Sequence, residues 1–219
     1  MKFHLILISV SLFFLMSCKN QQMVDENISL KEQVTTLKQN LQLVKKTNEN
    51  MHFLKKQLEG VKAKIITNYG TIELSFNNNE APIHCFNFIT RAEGGFYDNT
   101  LFHRIIPGFM IQGGDPNTKT KNTASYGQGG PLINIPHEFN DLKHEAGVLS
   151  MARVSDVSYG AGCQFFITHE PTPQLDKQYT VFGKVTKGMD VVNKIALAKR
   201  NQQDLPLSPI KIKTIQVYK

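Results

Sequence analysis

At 219 residues, 41 % of them hydrophobic, the chain can bury the core of one full domain and carry an appendage besides. Its 3 cysteines exclude a disulfide framework and show no zinc-ligand spacing. The formal net charge of +7 is spread along the chain rather than gathered into a patch. That argues against a nucleic-acid partner and for a mildly basic, solvated surface.

The chain opens with MKFHLILISVSLFFLMSC, a positive start at Lys2 followed by an apolar run from Leu5 to Met16. The run is too short for a membrane span of ~20 residues. It fits the apolar region of a secretory leader over residues 1–17. Its end, Leu15-Met16-Ser17-Cys18, resembles the bacterial lipoprotein cleavage box. The resemblance implies acylation of Cys18 and a lipid-anchored protein of the bacterial cell envelope. Lys19 follows the cysteine where an acidic residue would suggest inner-membrane retention, so the expected location is the outer membrane. The alternative is an ordinary cleaved leader with a chance cysteine.

Residues 18–62 form the next unit, and after Cys18 they hold no proline and only one glycine, Gly60. Met23, Leu30, Leu37, Val44, Met51 and Leu58 recur every seven residues. Val34 and Leu41 supply part of a second seam, whose other members, Asn27, Asn48 and Lys55, are polar. The spacing predicts one long helix, a coiled-coil-like stalk of roughly 50 Å. Gly60 would stop it. A half-apolar second seam leaves a homodimer through the stalk and a solitary spacer both open.

From residue 63 to 219 the period changes. KIITNYGTIELSF reads as two strands about a turn at Asn68–Gly70. APIHCFNFITRAEGG reads as a helix opened by Pro82 and closed at Gly94, with Ile83, Phe86 and Ile89 on one face. LFHRII, MIQGG, GVLSMAR, QFFITH and YTVFGKV read as short strands, GMDVVNKIALA as a second amphipathic helix, and IKIKTIQVY as a last strand able to pair with the first. Many short strands with two helices predict a mainly-β fold, an antiparallel barrel with helical caps. Residues 116–131 and 199–209 read as polar surface loops.

Two stretches, FHRIIPGFMIQGGD from Phe102 and CQFFIT from Cys163, resemble the signature of the cyclophilin family of peptidyl-prolyl isomerases. The resemblance covers about residues 63–219. It implies a closed eight-stranded antiparallel β-barrel capped by two α-helices, no metal and no cofactor, and proline-containing polypeptides as partners. It implies a catalytic role for Arg104, and substrate binding by Phe109, Met110, Gln112, Ala152, Gln164, Phe166, Leu175 and Tyr179. His103 is taken as structural. Three departures from the family pattern stand out. Gln174 replaces a common tryptophan, which implies weak cyclosporin binding; Tyr179 replaces a pocket histidine; and Arg153-Val154 replaces a common Asn-Ala pair.

Those residue types suit one reaction. Rotation about a peptide bond costs ~18–20 kcal/mol because resonance is lost, yet the two X–Pro end states differ by only ~0.5–1 kcal/mol. No nucleophile is needed, only a tighter grip on the twisted amide than on either planar form. The function expected is isomerisation of X–Pro bonds during folding of extracytoplasmic proteins. The alternative is a module that binds proline segments, positioned by the stalk. Cys85 and Cys163 are read as buried thiols, with a bridge still open.

Overall fold

In the computed structural model the side chains of residue 28 and residues 30–219 are described. The leader over 1–17, Cys18 and the heptad position Met23 lie outside these described residues. The chain divides into two compact units, Met1–His52 and Phe53–Lys219.

The first unit is helical. It belongs to α1, Lys2–Gln57, the predicted long helix. Of the heptad residues, Leu30, Val34, Leu37, Leu41 and Val44 are exposed, Met51 is half-buried and Leu58 is buried. The helix ends at Gln57, just before Gly60, which takes the left-handed conformation at φ 76°.

The second unit is built on eight antiparallel strands: β1 Lys62–Thr67, β2 Thr71–Phe76, β3 Arg104–Ile106, β4 Met110–Gly113, β5 Val148–Arg153, β6 Ala161–Thr168, β7 Val181–Lys187 and β8 Ile212–Tyr218. Helix α2, Pro82–Glu93, and helix α3, Met189–Ala196, accompany them. The sheet order is β3-β4-β6-β5-β7-β2-β1-β8, so the last strand pairs with the first as the sequence suggested.

The sheet is a curled half-barrel and not the closed barrel that was expected. Its edge strands β3 and β8 share no ladder; a single isolated bridge, Leu101 to Lys211, joins the segments that precede them. The reason lies in the short β3. Its Ile105 N–H donates to the carbonyl of Asp204 (2.9 Å), so the 199–209 loop takes the edge position that a neighbouring strand would fill.

Alternation selects the core. In β1, Ala63, Ile65 and Thr67 point inward while Lys62, Lys64 and Ile66 do not. The centre is aromatic. Phe88 of α2 meets Phe165 of β6 edge-on (5.3 Å), and Tyr97 meets the same ring at 88° (5.6 Å). Such pairs each contribute about 0.5–1.5 kcal/mol beyond burial. The Tyr97 hydroxyl donates to the Cys163 carbonyl (3.1 Å), which satisfies the one polar atom that this ring brings inside. Cys85 and Cys163 are buried and unbridged, and burial pushes the Cys163 thiol up to about 11. Leu58, just past α1, is buried in the same core, and Leu54 and Val61 pack against it.

Helix α2 turns a different face inward than its sequence suggested. Of Ile83, Phe86 and Ile89 only Ile89 is buried; Phe86 is 47 % exposed. The buried face is His84, Cys85, Phe88, Ile89 and Ala92. Glu138, from a distant loop, sets this rotation. Its carboxylate accepts the N–H of Ile83 (3.0 Å), the N–H of His84 (2.8 Å) and the His84 ring Nδ1 (2.7 Å). It thereby caps the helix N-terminus and supplies a partner for an imidazole that would otherwise be costly inside.

Candidate active site

Strand register builds the site. Arg104 of β3 lies opposite Gln112 of β4, Gln112 opposite Phe166 of β6, and Phe166 opposite Ser150 of β5. The row crosses four strands on the face away from the core, since Ile105, Ile111, Phe165 and Leu149 take the inward positions. One residue of slip in any pair would turn this row into the core. Gly114 fixes the end of β4. Its φ is 84°, and a Cβ there would meet the Cys163 carbonyl oxygen at 2.8 Å and the Phe165 ring at 2.9 Å.

On this face lies a hollow of about 130 Å³ lined by Arg104, Phe109, Met110, Gln112, Ala152, Arg153, Phe166, Leu175 and Tyr179. A cavity of about 150 Å³ holds benzene, so this one is of a size for a pyrrolidine ring. Every residue expected at the site is here except Gln164, and Arg153 is added. Met110 and Phe166 form a buried floor. The Tyr179 ring meets Phe166 edge-on (5.6 Å, 84°). Phe109 sits in the turn between β3 and β4, which is held by the Gly108 N–H donating to His169 Nδ1 (3.0 Å) and by the His169 N–H donating to the Phe109 carbonyl (2.8 Å).

The polar groups at the rim are oriented but not saturated. The Arg104 side chain is 43 % exposed, and its nearest anion, Asp204, stands 3.8 Å from Nε, too far for a hydrogen bond. Asp204 is better engaged with Arg200 (3.0 Å). The Arg104 guanidinium is thus loosely balanced and free to donate. Gln112 is aimed by Gln164, whose Oε1 accepts from Gln112 Nε2 (3.0 Å). Gln164 is aimed in turn by the carbonyls of Gly127 (3.0 Å) and Gly129 (2.7 Å). The chain leaves Gln112 Oε1 as an open acceptor. Gln164 thus stands behind Gln112 and outside the lining of this hollow.

Two further hollows adjoin the first. One, of about 340 Å³, shares Gln112, Ala152 and Arg153 with it and is otherwise lined by Gly127–Pro131, Asn134, Val154, Gly160, Gly162, Cys163 and Gln164. The other shares Arg104 and Gln112 and reaches Asn201, Gln203 and Leu205. The two polar loops read as plain surface thus form the ends of a groove that runs past Gln112. Their glycines and amides gave no sign of it in sequence. Gln174, on the short 3₁₀ turn Pro173–Leu175, is exposed and lines none of these hollows.

Beneath the hollow lies a buried arrangement that the sequence analysis missed. Asp176 Oδ1 accepts the N–H of His144 (2.9 Å) and stands 3.1 Å from its Nδ1; His144 Nε2 stands 3.1 Å from Ser150 Oγ. The imidazole stacks on Phe166 (6.1 Å, 13°). Acid, imidazole and hydroxyl in this order resemble a hydrolytic triad, but Ser150 is 0 % exposed and no substrate atom can reach its oxygen. Burial pushes the His144 pKa down against the pull of Asp176. The backbone N–H of His144 leads the groups that draw Asp176 down to about 2. Thirty-two residues separate His144 from Asp176, and no local pattern links them. His103 is buried, and desolvation lowers its pKa.

The hollow sets apolar side chains beside two guanidiniums, Arg104 and Arg153, and one oriented amide, Gln112. The chain belongs to the cyclophilin family: the family model, cyclophilin type peptidyl-prolyl cis-trans isomerase/CLD, matches residues 62–217. Its enzyme class is that of a peptidyl-prolyl cis-trans isomerase, and the alternative of a mere binding module finds no support among its relatives. It is 43 % identical over 159 residues to peptidyl-prolyl cis-trans isomerase-like 1 of Neurospora crassa, covering 70 % of this chain and 91 % of that one. It is 45 % identical over 162 residues to peptidyl-prolyl cis-trans isomerase-like 2 of Rhizopus delemar, covering 71 % of this chain but only 28 % of that longer protein. In fold it is similar to the Cryptosporidium parvum cyclophilin type peptidyl-prolyl cis-trans isomerase crystallised in the presence of the dipeptide Ala-Pro. The TM-score is 0.64 at 34 % identity, over 72 % of this chain and 99 % of that one. These comparisons overturn the bacterial outer-membrane location: the two relatives just named, and others from Emericella nidulans and Aspergillus fumigatus, are fungal. Among the described residues no helix is long and apolar enough to cross a membrane.

Proposed function

We propose that this chain rotates X–Pro bonds in the 130 Å³ hollow, with Arg104 as the catalytic residue. As the amide twists, the prolyl nitrogen regains its lone pair and becomes an acceptor. A guanidinium with open donors beside the ring stabilises that density. Phe109, Met110, Phe166, Leu175 and Tyr179 hold the ring still and dry, and Ala152 leaves room for the backbone on the far rim. Gln112 Oε1 takes a substrate N–H, so one side of the bond is fixed while the other turns. Lowering the barrier by roughly 7 kcal/mol gives about 10⁵-fold acceleration. The observation that carries the reading is the pairing of an under-engaged Arg104 with the apolar side chains Phe109, Met110, Phe166 and Leu175 of the same hollow. Exchange spectroscopy on a proline peptide, natural chain against Arg104→Ala, tests it.

We further infer that the N-terminal part (1–62) is an accessory to an isomerase domain over 63–219. Export by the leader and acylation of Cys18 rest on Leu15-Met16-Ser17-Cys18, and would direct the enzyme to extracytoplasmic clients. Incorporation of labelled palmitate, lost in Cys18→Ser, tests the lipid. Pairing of two copies along α1 is supported by its exposed apolar seam.

A further inference from the structure

Arg153 divides the hollow from the 340 Å³ cavity beside it and lines both. Its guanidinium is fixed at four points. Nε donates to the Gln178 carbonyl (2.9 Å), and Nη1 donates to the carbonyls of Val154 (2.9 Å) and Ser155 (3.1 Å). Its carbon lies 4.5 Å from the centroid of the Tyr179 ring. All four partners are neutral. Among the described residues Arg153 makes no ion pair, and Nη2 donates to no protein group. No carboxylate lines either cavity. The other cation of the groove, Arg104, has Asp204 as a partial counter-ion. The field of Arg153 is felt nearby: after burial and His84, it is the third cause that lowers the His137 pKa.

A fixed cation with an unused donor on a wall free of carboxylates favours an anionic side chain. We propose that Arg153 is a specificity-determining residue, and that it selects substrates carrying aspartate or glutamate close to the isomerised proline. This rests on the hollow being the prolyl site, and it goes beyond that reading by naming the substrate class. The cavities share Gln112, Ala152 and Arg153, so a chain with its proline in one reaches the other within a few residues at ~3.3–3.6 Å each. The amides of Gln128, Asn134 and Gln164 and the backbone of the 127–130 loop line the remaining wall. Preorganisation by three carbonyls means that little side-chain entropy is lost when a carboxylate docks.

The test uses the full chain and peptides of about eight residues with one central proline. Glutamate and glutamine are compared at each of the three positions on either side, and kcat/KM is read by exchange spectroscopy. At one position or two adjacent ones glutamate should exceed glutamine by about fivefold. The gap should shrink in ~0.5 M salt, where charges are screened beyond a few ångströms. Arg153→Gln should close it, and Arg153→Asn serves in its place if the first variant does not fold. A natural chain that turns over the glutamine peptides but shows no preference at any position overturns the proposal. So does a preference that survives in Arg153→Gln, since the charge then lies elsewhere. Failure to turn over any peptide sinks the prolyl-site reading itself, and the proposal with it.

Discussion

Two polar clusters flank Phe166, and they meet opposite fates. On one side Arg104, Gln112 and Gln164 stand at a rim, partly exposed, with a donor and an acceptor left open. On the other, Ser150 and His144 are enclosed and Asp176 is half-buried, and each polar group has found a partner in the protein. By residue type the second cluster is the more reactive, since it holds an acid, a base and a hydroxyl. By geometry it is inert, because its oxygen is sealed and its imidazole is stacked under a ring. Open valence and access decide chemistry here. The buried cluster does for Phe166 what Gln164 does for Gln112: it sets the position of a side chain that faces the groove.

The sharpest way to break this contrast is Arg104→Ala. Losing one preorganised donor should lower kcat/KM by about 10²–10³-fold. The thermal midpoint should move by no more than about 2 °C, because a rim side chain contributes little to stability. A folded variant with unchanged activity would remove Arg104 from the mechanism.

Asp176→Ala should do the reverse. It strands the N–H and Nδ1 of His144 in a buried setting, at a cost of about 2–3 kcal/mol read by urea unfolding. Acid should act in the same direction. The Asp176 pKa is depressed to about 2 in the fold, so its contribution is present above about 4 and is lost as pH falls towards 2. The His144 pKa is depressed as well, so its contribution is present above its unfolded value of 6.5 and declines as pH drops below it. Unfolding free energy should therefore fall on acidification, and between about pH 4 and pH 2, where the Asp176 carboxylate itself titrates, the fall should be shallower in Asp176→Ala. An equal slope in both proteins would mean that the brace does not titrate with folding.

Gln164→Ala separates aiming from contact. It removes the acceptor that orients Gln112 Nε2 and leaves the hollow's walls in place. A drop of about tenfold in kcat/KM is expected, at nearly native stability. A change as large as that of Arg104→Ala would mean that Gln164 itself holds the twisted amide.

What could be read from sequence follows the same division. Arg104, Phe109, Met110 and Gln112 fall within one contiguous hairpin, and Phe166 lies in another short signature, so their residue types were visible together. The links that set their geometry are long-range. Gln164 reaches Gly129 across 35 positions and His144 reaches Asp176 across 32, with loops of no special composition between them. The same holds for α2: a helical wheel counts apolar residues, but Glu138, 54 positions away, chose the buried face by pairing with His84. Closure of the sheet failed for a related reason, because a loop carbonyl, that of Asp204, met Ile105 first.

The exposed seam of α1 offers the smallest effect on catalysis and the cleanest contrast with the sheet unit. In the core, apolar side chains such as Phe165 and Ile105 are sealed; along α1, Leu37 is 66 % exposed, with Leu30 and Leu41 similarly bare. An exposed leucine changed to alanine shifts stability by no more than about 0.5 kcal/mol, whereas the same change in a packed interface costs about 2–5 kcal/mol. If two copies pair along the seam, the natural chain should sediment as a dimer at ~10 µM and the Leu30→Ala/Leu37→Ala double variant as a monomer. Both should turn over a short proline peptide at the same rate, because neither leucine lines the groove. A natural chain that sediments as a monomer at that concentration would leave the seam without a second copy to cover it, and the pairing would have to be given up.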